Sequence, residues 1–157
     1  MLEKYLKILS ESLDEKLKLL KEIEAKSNAQ LKMIEEELPF EEIDKNMDEK
    51  AALIEKINKM DEGFQSMYDN LKEELAGNKA RYKTLIEEIQ AKIGNVMGAS
   101  ASIQAIEARN KAAIEQRFSA AHRKNNKRLV NMSALDDYYK VANKLNAVAP
   151  QFMDKKK

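Results

Sequence analysis

Apolar residues recur at steps of three and four along most of this chain. Leu2, Leu6, Leu9, Leu13, Leu17, Leu20 and Ile23 form one such stripe, and Leu31, Ile34 and Leu38 resume it. That spacing predicts an amphipathic helix of about ten turns, on the order of 55 Å long. Pro39 disfavours helical backbone at Leu38 and ends it there. Ser27 and Asn28 weaken the middle of the stripe and mark a place where it could bend. A second stripe runs through Ile43, Met47, Ile54, Ile57, Phe64, Tyr68, Leu71 and Leu75, predicting a helix from about Ile43. The connection around Pro39 is short, so the first two helices are expected to be antiparallel neighbours. Gly63 is a soft spot within the second, where a kink or short break is expected.

Gly77 and Asn78 read as a helix stop followed by an N-cap. The third helix is expected from about Lys79 to Arg128, lined by Tyr82, Ile86, Ile89, Ile93, Val96, Ile103, Ile106, Ala113, Ile114 and Phe118. Small residues from Gly94 to Ser102 interrupt it. They admit close approach of another helix, the favoured reading, or a hinge. Ser133-Ala134-Leu135-Asp136 resembles a capping box opening a last short helix, with Leu135, Tyr138, Tyr139, Ala142 and Leu145 as its apolar positions. Pro150 ends it, and the tail closes on three lysines. A segment of this length orders fully only when docked, on its own bundle or on a partner.

The expected fold is therefore all-α. It is an elongated antiparallel bundle of three long helices over residues 1–130, with a short C-terminal amphipathic helix and flexible tail over 131–157. Composition agrees: 157 residues, 35% charged, with only 4 Gly and 2 Pro, and no alternating strand pattern. No apolar run nears the roughly 20 residues of a membrane span, and the N-terminus lacks a signal peptide's apolar core. A cytoplasmic protein without stable membrane insertion is expected. Residues 1–76 carry an acidic excess and residues 77–157 a basic one, which hide in a net charge of +1. Early helices are expected to pack on late ones with complementary charge. The basic run Arg117, Arg123, Lys124, Lys127 and Arg128 reads as a solvated face, not a nucleic-acid surface.

The chemistry for catalysis is thin. There is no Cys, and the sole His122 sits in that basic run. The chain has no Glu-x-x-His, no His-Glu-x-x-His, no P-loop and no Gly-x-Gly-x-x-Gly. Paired carboxylates such as Glu36-Glu37 and Glu73-Glu74 read as solvated helix faces. No enzyme activity, metal or cofactor is expected. Of the 8 Met, Met33, Met47, Met60, Met67 and Met97 lie on or beside the stripes. Core filling is the favoured reading, and an adaptable binding surface the other.

What remains is helix recognition. The stretch from Ile103 to Phe118 carries one polar residue, Asn110, on its apolar seam. Such a residue costs stability and can set partner and register. With Ile103, Ile106, Ile114, Phe118, Tyr138, Tyr139 and Leu145, Asn110 forms the expected partner-binding set. The stripe has two directions open to it, toward its own bundle or toward a client.

Several motifs in order resemble one family: Asp61-x-Gly63-Phe64 with Tyr68, then Asn78-Lys79-x-x-Tyr82-Lys83-x-x-Ile86, then Ile103-Gln104-Ala105-x-Glu107-x-Arg109-Asn110-Lys111, and the pair Tyr138-Tyr139. Over about Ile43 to Tyr139 the chain resembles the FlgN-type flagellar export chaperones, in the form found in clostridia-like bacteria. Asn110, Ile114 and Glu115 match a late-helix pattern of more distant members. The resemblance implies a cytoplasmic helical chaperone of flagellar type III export. Such a protein binds the C-terminal helices of hook–filament junction (hook-associated) proteins, prevents their premature assembly and delivers them to the export apparatus. It implies client contacts in late helix 3 and beyond, and little inherited meaning for Ala147 to Lys157. The alternative expectation is a structural coiled-coil or scaffold protein that self-associates through its helices. Self-association is open under either reading.

Overall fold

The computed structural model describes residues 2–125 and 132–143, with the side chains of 120–136 and 143 outside that description. It is all-helical: α1 (Leu2–Glu35), α2 (Phe40–Ala76), α3 (Lys83–Asn125) and α4 (Met132–Asn143). Among the described residues there is no strand, and no helix is long and apolar enough to cross a membrane. The three long helices pack together, with α1 lying along both α2 and α3 and α4 lying against α2. Contacts show the chain senses. Lys16 meets Asp61 and Lys26 meets Glu49, so residue numbers rise along α1 as they fall along α2. Asp14 meets Lys92 and Glu24 meets Ser102, so α1 and α3 run the same way.

The core follows one rhythm on all three helices. On α1 the buried positions Leu2, Leu6, Leu9, Leu13, Lys16, Leu20, Ile23, Ser27, Gln30 and Ile34 step alternately by four and three. On α2 the same steps give Ile43, Met47, Lys50, Ile54, Ile57, Asp61, Phe64, Tyr68, Leu71 and Leu75, all buried except the half-buried Asp61. On α3 they give Ile89, Ile93, Val96, Ser100, Ile103, Glu107, Asn110 and Ile114, all buried. This is the seam spacing of helices packed along their length. Its apolar members join one continuous core. The seam also admits polar residues, and these define the site described below.

The element ends differ from the periodicity in instructive ways. α1 stops at Glu35, three residues before Leu38. The Leu38 N–H donates to the Met33 carbonyl at 3.0 Å and the Glu37 N–H to the Ile34 carbonyl at 3.1 Å, with Glu37 left-handed at φ 55°. These are the two bonds of a Schellman cap. α2 then begins at Phe40, directly after the extended Pro39 (ψ 145°). Glu41 and Glu42 in its first turn suit the positive end of the helix dipole. At the other end Asn78 closes α2 instead of opening α3. Its Nδ2 donates back to the Glu74 carbonyl at 2.7 Å, and α3 starts only at Lys83.

Neither soft spot breaks its helix. α2 is continuous through Gly63 and α3 through Gly94 to Ser102. Gly94 and Gly98 face solvent, and a Cβ on either would meet nothing within 4 Å, so they seat no neighbouring helix. The close approach in this stretch belongs to Ser100, buried in the seam with α1. α4 begins at Met132, so Ser133 lies inside its first turn and does not precede it. The expected opposite-charge packing of early on late helices occurs at Asp14–Lys92, but the buried pair between the halves, Lys50–Glu107, has the reverse polarity. Met47 is buried, Met33, Met60 and Met67 fill the core edge, and Met97 points outward, 44% exposed.

Candidate functional site

Polar seam residues from all three long helices meet at one level of the bundle. Ser27 and Gln30 come from α1, Lys50 from α2, and Glu107 and Asn110 from α3. Each replaces a core apolar residue at a seam step, and Lys50 and Asn110 have no exposure at all. The Lys50 ammonium donates to Glu107 Oε1 at 2.7 Å, to Gln30 Oε1, and more weakly to Ser27 Oγ at 3.4 Å. Asn110 Nδ2 donates to the Ser27 carbonyl at 2.9 Å and to Glu107 Oε1 at 3.2 Å. Next to this cluster Asn46 Nδ2 donates to the Lys26 carbonyl at 3.1 Å.

α4 covers the outer side of this cluster. The Tyr138 hydroxyl donates to Glu107 Oε2, and the Tyr138 ring lies 4.8 Å from the Lys50 nitrogen. Tyr139 packs edge-on against Tyr138, with ring centroids 5.0 Å apart, and faces the Lys111 ammonium at 5.4 Å. Burial holds the Lys50 ammonium below the usual lysine range, and Glu107 pulls it partly back. Burial pushes the Tyr138 phenol well above the usual tyrosine range, and the Glu107 charge pushes the same way. Tyr139 is raised for the same first cause, with Glu107 and Glu115 adding to it. The arrangement is a buried ion pair between α2 and α3 whose remaining hydrogen bonds come from α1, α3 and α4. Excellent geometry of that kind is what offsets the desolvation of two charges.

The expected partner-binding residues divide into three groups. Ile103, Ile106, Asn110 and Ile114 are buried within the protein's own bundle. Tyr138 is buried beneath α4, while Tyr139 on α4 and Phe118 on α3 are half-buried. The Phe118 ring meets Phe40 at a tilt of 60°, with centroids 4.5 Å apart, and the Arg117 guanidinium covers the Phe40 ring at 4.5 Å, so Arg117 is engaged in packing. Leu145, the tail and the His122 side chain lie outside the described residues. Asn110, Tyr138 and Tyr139 come together around Glu107, while Phe118 sits further along α3.

Sequence reasoning missed Ser27, Gln30, Lys50 and Glu107 as site residues. The signal was present: each stands at a seam step where the four-three rhythm calls for an apolar side chain. A second polar pair at the seam, Lys16 with Asp61 at 2.7 Å, obeys the same rule. Burial raises the Asp61 carboxyl above its usual range, outweighing the opposing pull of Lys16. Among the described residues no group of three or more His, Cys, Asp or Glu side chains could hold a metal ion.

No family model, no curated protein and no solved structure matches this chain.

Proposed function

We propose that this protein is a FlgN-type flagellar export chaperone. In this reading it is cytoplasmic and not an enzyme. It binds the C-terminal helical segments of hook–filament junction proteins, keeps them from assembling early and delivers them to the export apparatus. The finer architecture belongs to the same reading: an elongated antiparallel three-helix bundle over 1–130 that presents 131–157 as a helix and tail.

The observation that carries the reading is the seat of α4. A twelve-residue amphipathic helix, marginal by itself, rests on this bundle through Tyr138 and Tyr139 and the polar cluster beneath them. A client helix is the same kind of object, with an apolar face that is covered only once the filament is assembled. Client contacts are then expected on the α4 side of the bundle, at Phe118, Tyr138 and Tyr139. Ile103, Ile106, Asn110 and Ile114 are buried in the bundle that carries this side.

Calorimetry tests this directly. The purified protein should bind C-terminal segments of hook-associated proteins from the same organism. Phe118→Asp and Tyr139→Asp should weaken binding at least tenfold while circular dichroism stays helical. Failure of every segment to bind overturns the reading.

One feature favours the scaffold alternative. Gly94, Gly98, Ala101, Ala105, Ala108 and Ala112 form an exposed row of small residues on α3, again at steps of four and three, facing away from the core. Such a row suits close helix–helix association. Under that reading sedimentation shows a concentration-dependent oligomer that Ala105→Glu dissolves. A monomer at all concentrations rejects it.

A further inference from the structure

The Glu107 carboxylate is divided between two sources. Oε1 takes its hydrogen bonds from Lys50 and Asn110, inside the three-helix bundle. Oε2 takes its bond from Tyr138, which arrives on α4. The same tyrosine ring closes over the Lys50 ammonium. The charged cluster therefore has an inner half held among the three long helices and an outer half that a separate helix must supply. A phenylalanine in that place would cover the ammonium but leave Oε2 buried without its donor. A leucine would provide neither the donor nor the ring face. Leaving a buried charged acceptor unpaired costs more than the bond itself contributes, and sites built around a hydroxyl reject analogues that lack it.

The hold of α4 is correspondingly narrow. Its backbone lies against α2, and the described side chains that it buries or half-buries are Tyr138, Tyr139, Val141 and Ala142. Glu107 and Lys50 belong to the seam of the long helices and not to α4.

We propose that this face of the bundle is a receptor for a tyrosine carried on an amphipathic helix. α4 occupies it in the free chain, and a partner helix exchanges with α4 by presenting a tyrosine whose hydroxyl donates to Glu107 and whose ring covers Lys50. That the partner is an export client rests on the chaperone reading; the tyrosine preference rests on the cluster alone.

The test uses the full-length Tyr138→Ala chain, whose own α4 lacks the anchor. The probes are a synthetic peptide of residues 132–143 and its Tyr138→Phe counterpart, titrated to millimolar concentration and followed by chemical shifts around Lys50 and Glu107. The tyrosine peptide should bind, and the phenylalanine peptide about 10- to 100-fold more weakly. The wild-type chain, with α4 in place, should bind the tyrosine peptide more weakly than the Tyr138→Ala chain does. Adding Lys50→Met and Glu107→Leu together to the receiving chain, a swap that keeps the seam packed, should erase the preference. Equal binding of the two peptides, no binding of either, or a preference that survives the double swap overturns the proposal. Junction segments that fail to bind while the peptide preference holds would sink the export reading and leave the tyrosine receptor standing. Segments that bind while the peptides show no preference would do the reverse.

Discussion

Lys50 Nζ lies 2.7 Å from Glu107 Oε1, linking α2 to α3 across 57 positions of the chain, with Lys50 fully buried and Glu107 nearly so. Breaking such a pair leaves one buried charge without its partner, whereas replacing both members with apolar side chains keeps the seam filled. Lys50→Met or Glu107→Leu alone should therefore each cost about 3–5 kcal/mol. The double variant should recover most of that loss. Urea unfolding of the four proteins closes the cycle, and a double variant whose loss equals the sum of the two single losses would show that the pair is not coupled.

The four-three rhythm made the three long helices and most of their core legible in the sequence. Every apolar member of the α2 stripe, from Ile43 to Leu75, is buried. The apolar stripe passes over its polar members; of these Lys50 belongs to the site, and Asp61 pairs with Lys16. A local pattern assigns Lys50 or Glu107 to solvent because charged side chains on helices usually go there. Only the pairing of distant helices brings the two charges together, and no local window contains that information. Asn110 stands out because its neighbours are apolar and Ser27 because it weakens its stripe, but nothing local pairs the two or marks Glu107 as their neighbour. Gly77 marks the end of α2 as its sequence implies, whereas the end of α1 and the start of α3 depend on backbone and amide geometry at Glu37 and Asn78 that hydrophobic spacing does not record.

Asn110 separates polarity from charge at the same position. Its Nδ2 is bonded, but its Oδ1 has no protein partner. Asn110→Leu exchanges that amide for packing and should change stability by no more than about 1 kcal/mol. Asn110→Asp places a second carboxylate beside Glu107 and should destabilise by about 3 kcal/mol or more. Thermal melts distinguish the two, and an Asp variant as stable as wild type would remove Asn110 from the buried cluster.

Glu37 holds a left-handed backbone, φ 55°, at the Schellman position after α1. An L side chain there is strained by its Cβ, and glycine is not. Glu37→Gly should therefore raise stability by about 1 kcal/mol. A fall in the urea midpoint would mean that the Glu37 side chain matters more than its backbone.

Gly94 and Gly98 offer the opposite substitution. Both lie inside α3 with open space where a Cβ would project. Alanine at either should add about 0.5–1 kcal/mol by favouring helix. A loss of stability in the Gly98→Ala protein would show that a neighbour approaches this face in solution.

Alkaline pH should probe the seat of α4. Burial, and then the Glu107 charge, raise the Tyr138 phenol above the 10.0 of a free tyrosine. The folded chain thus keeps a proton that the unfolded chain gives up near pH 10. Stability from this source is complete below about pH 10 and is lost as pH rises beyond it. Tyr139 acts in the same direction. Lys50 acts in the other: burial lowers it, so the cost of its buried charge is relieved as pH climbs toward 10.5. Tyr68, raised by burial, and Lys92, raised by its hydrogen bond to Asp14, act with the two α4 tyrosines, so the groups that lose stability outnumber Lys50 and leave a net loss above about pH 10. Melting midpoints from about pH 8 to about pH 11 should fall more steeply in wild type than in Tyr138→Phe, which has no phenol to ionise at that position. Phenolate absorbance should rise in two stages, the second in step with loss of helix. If all 5 tyrosines ionise near pH 10 while the protein stays helical, then Tyr138 is open to solvent and α4 does not close over Glu107.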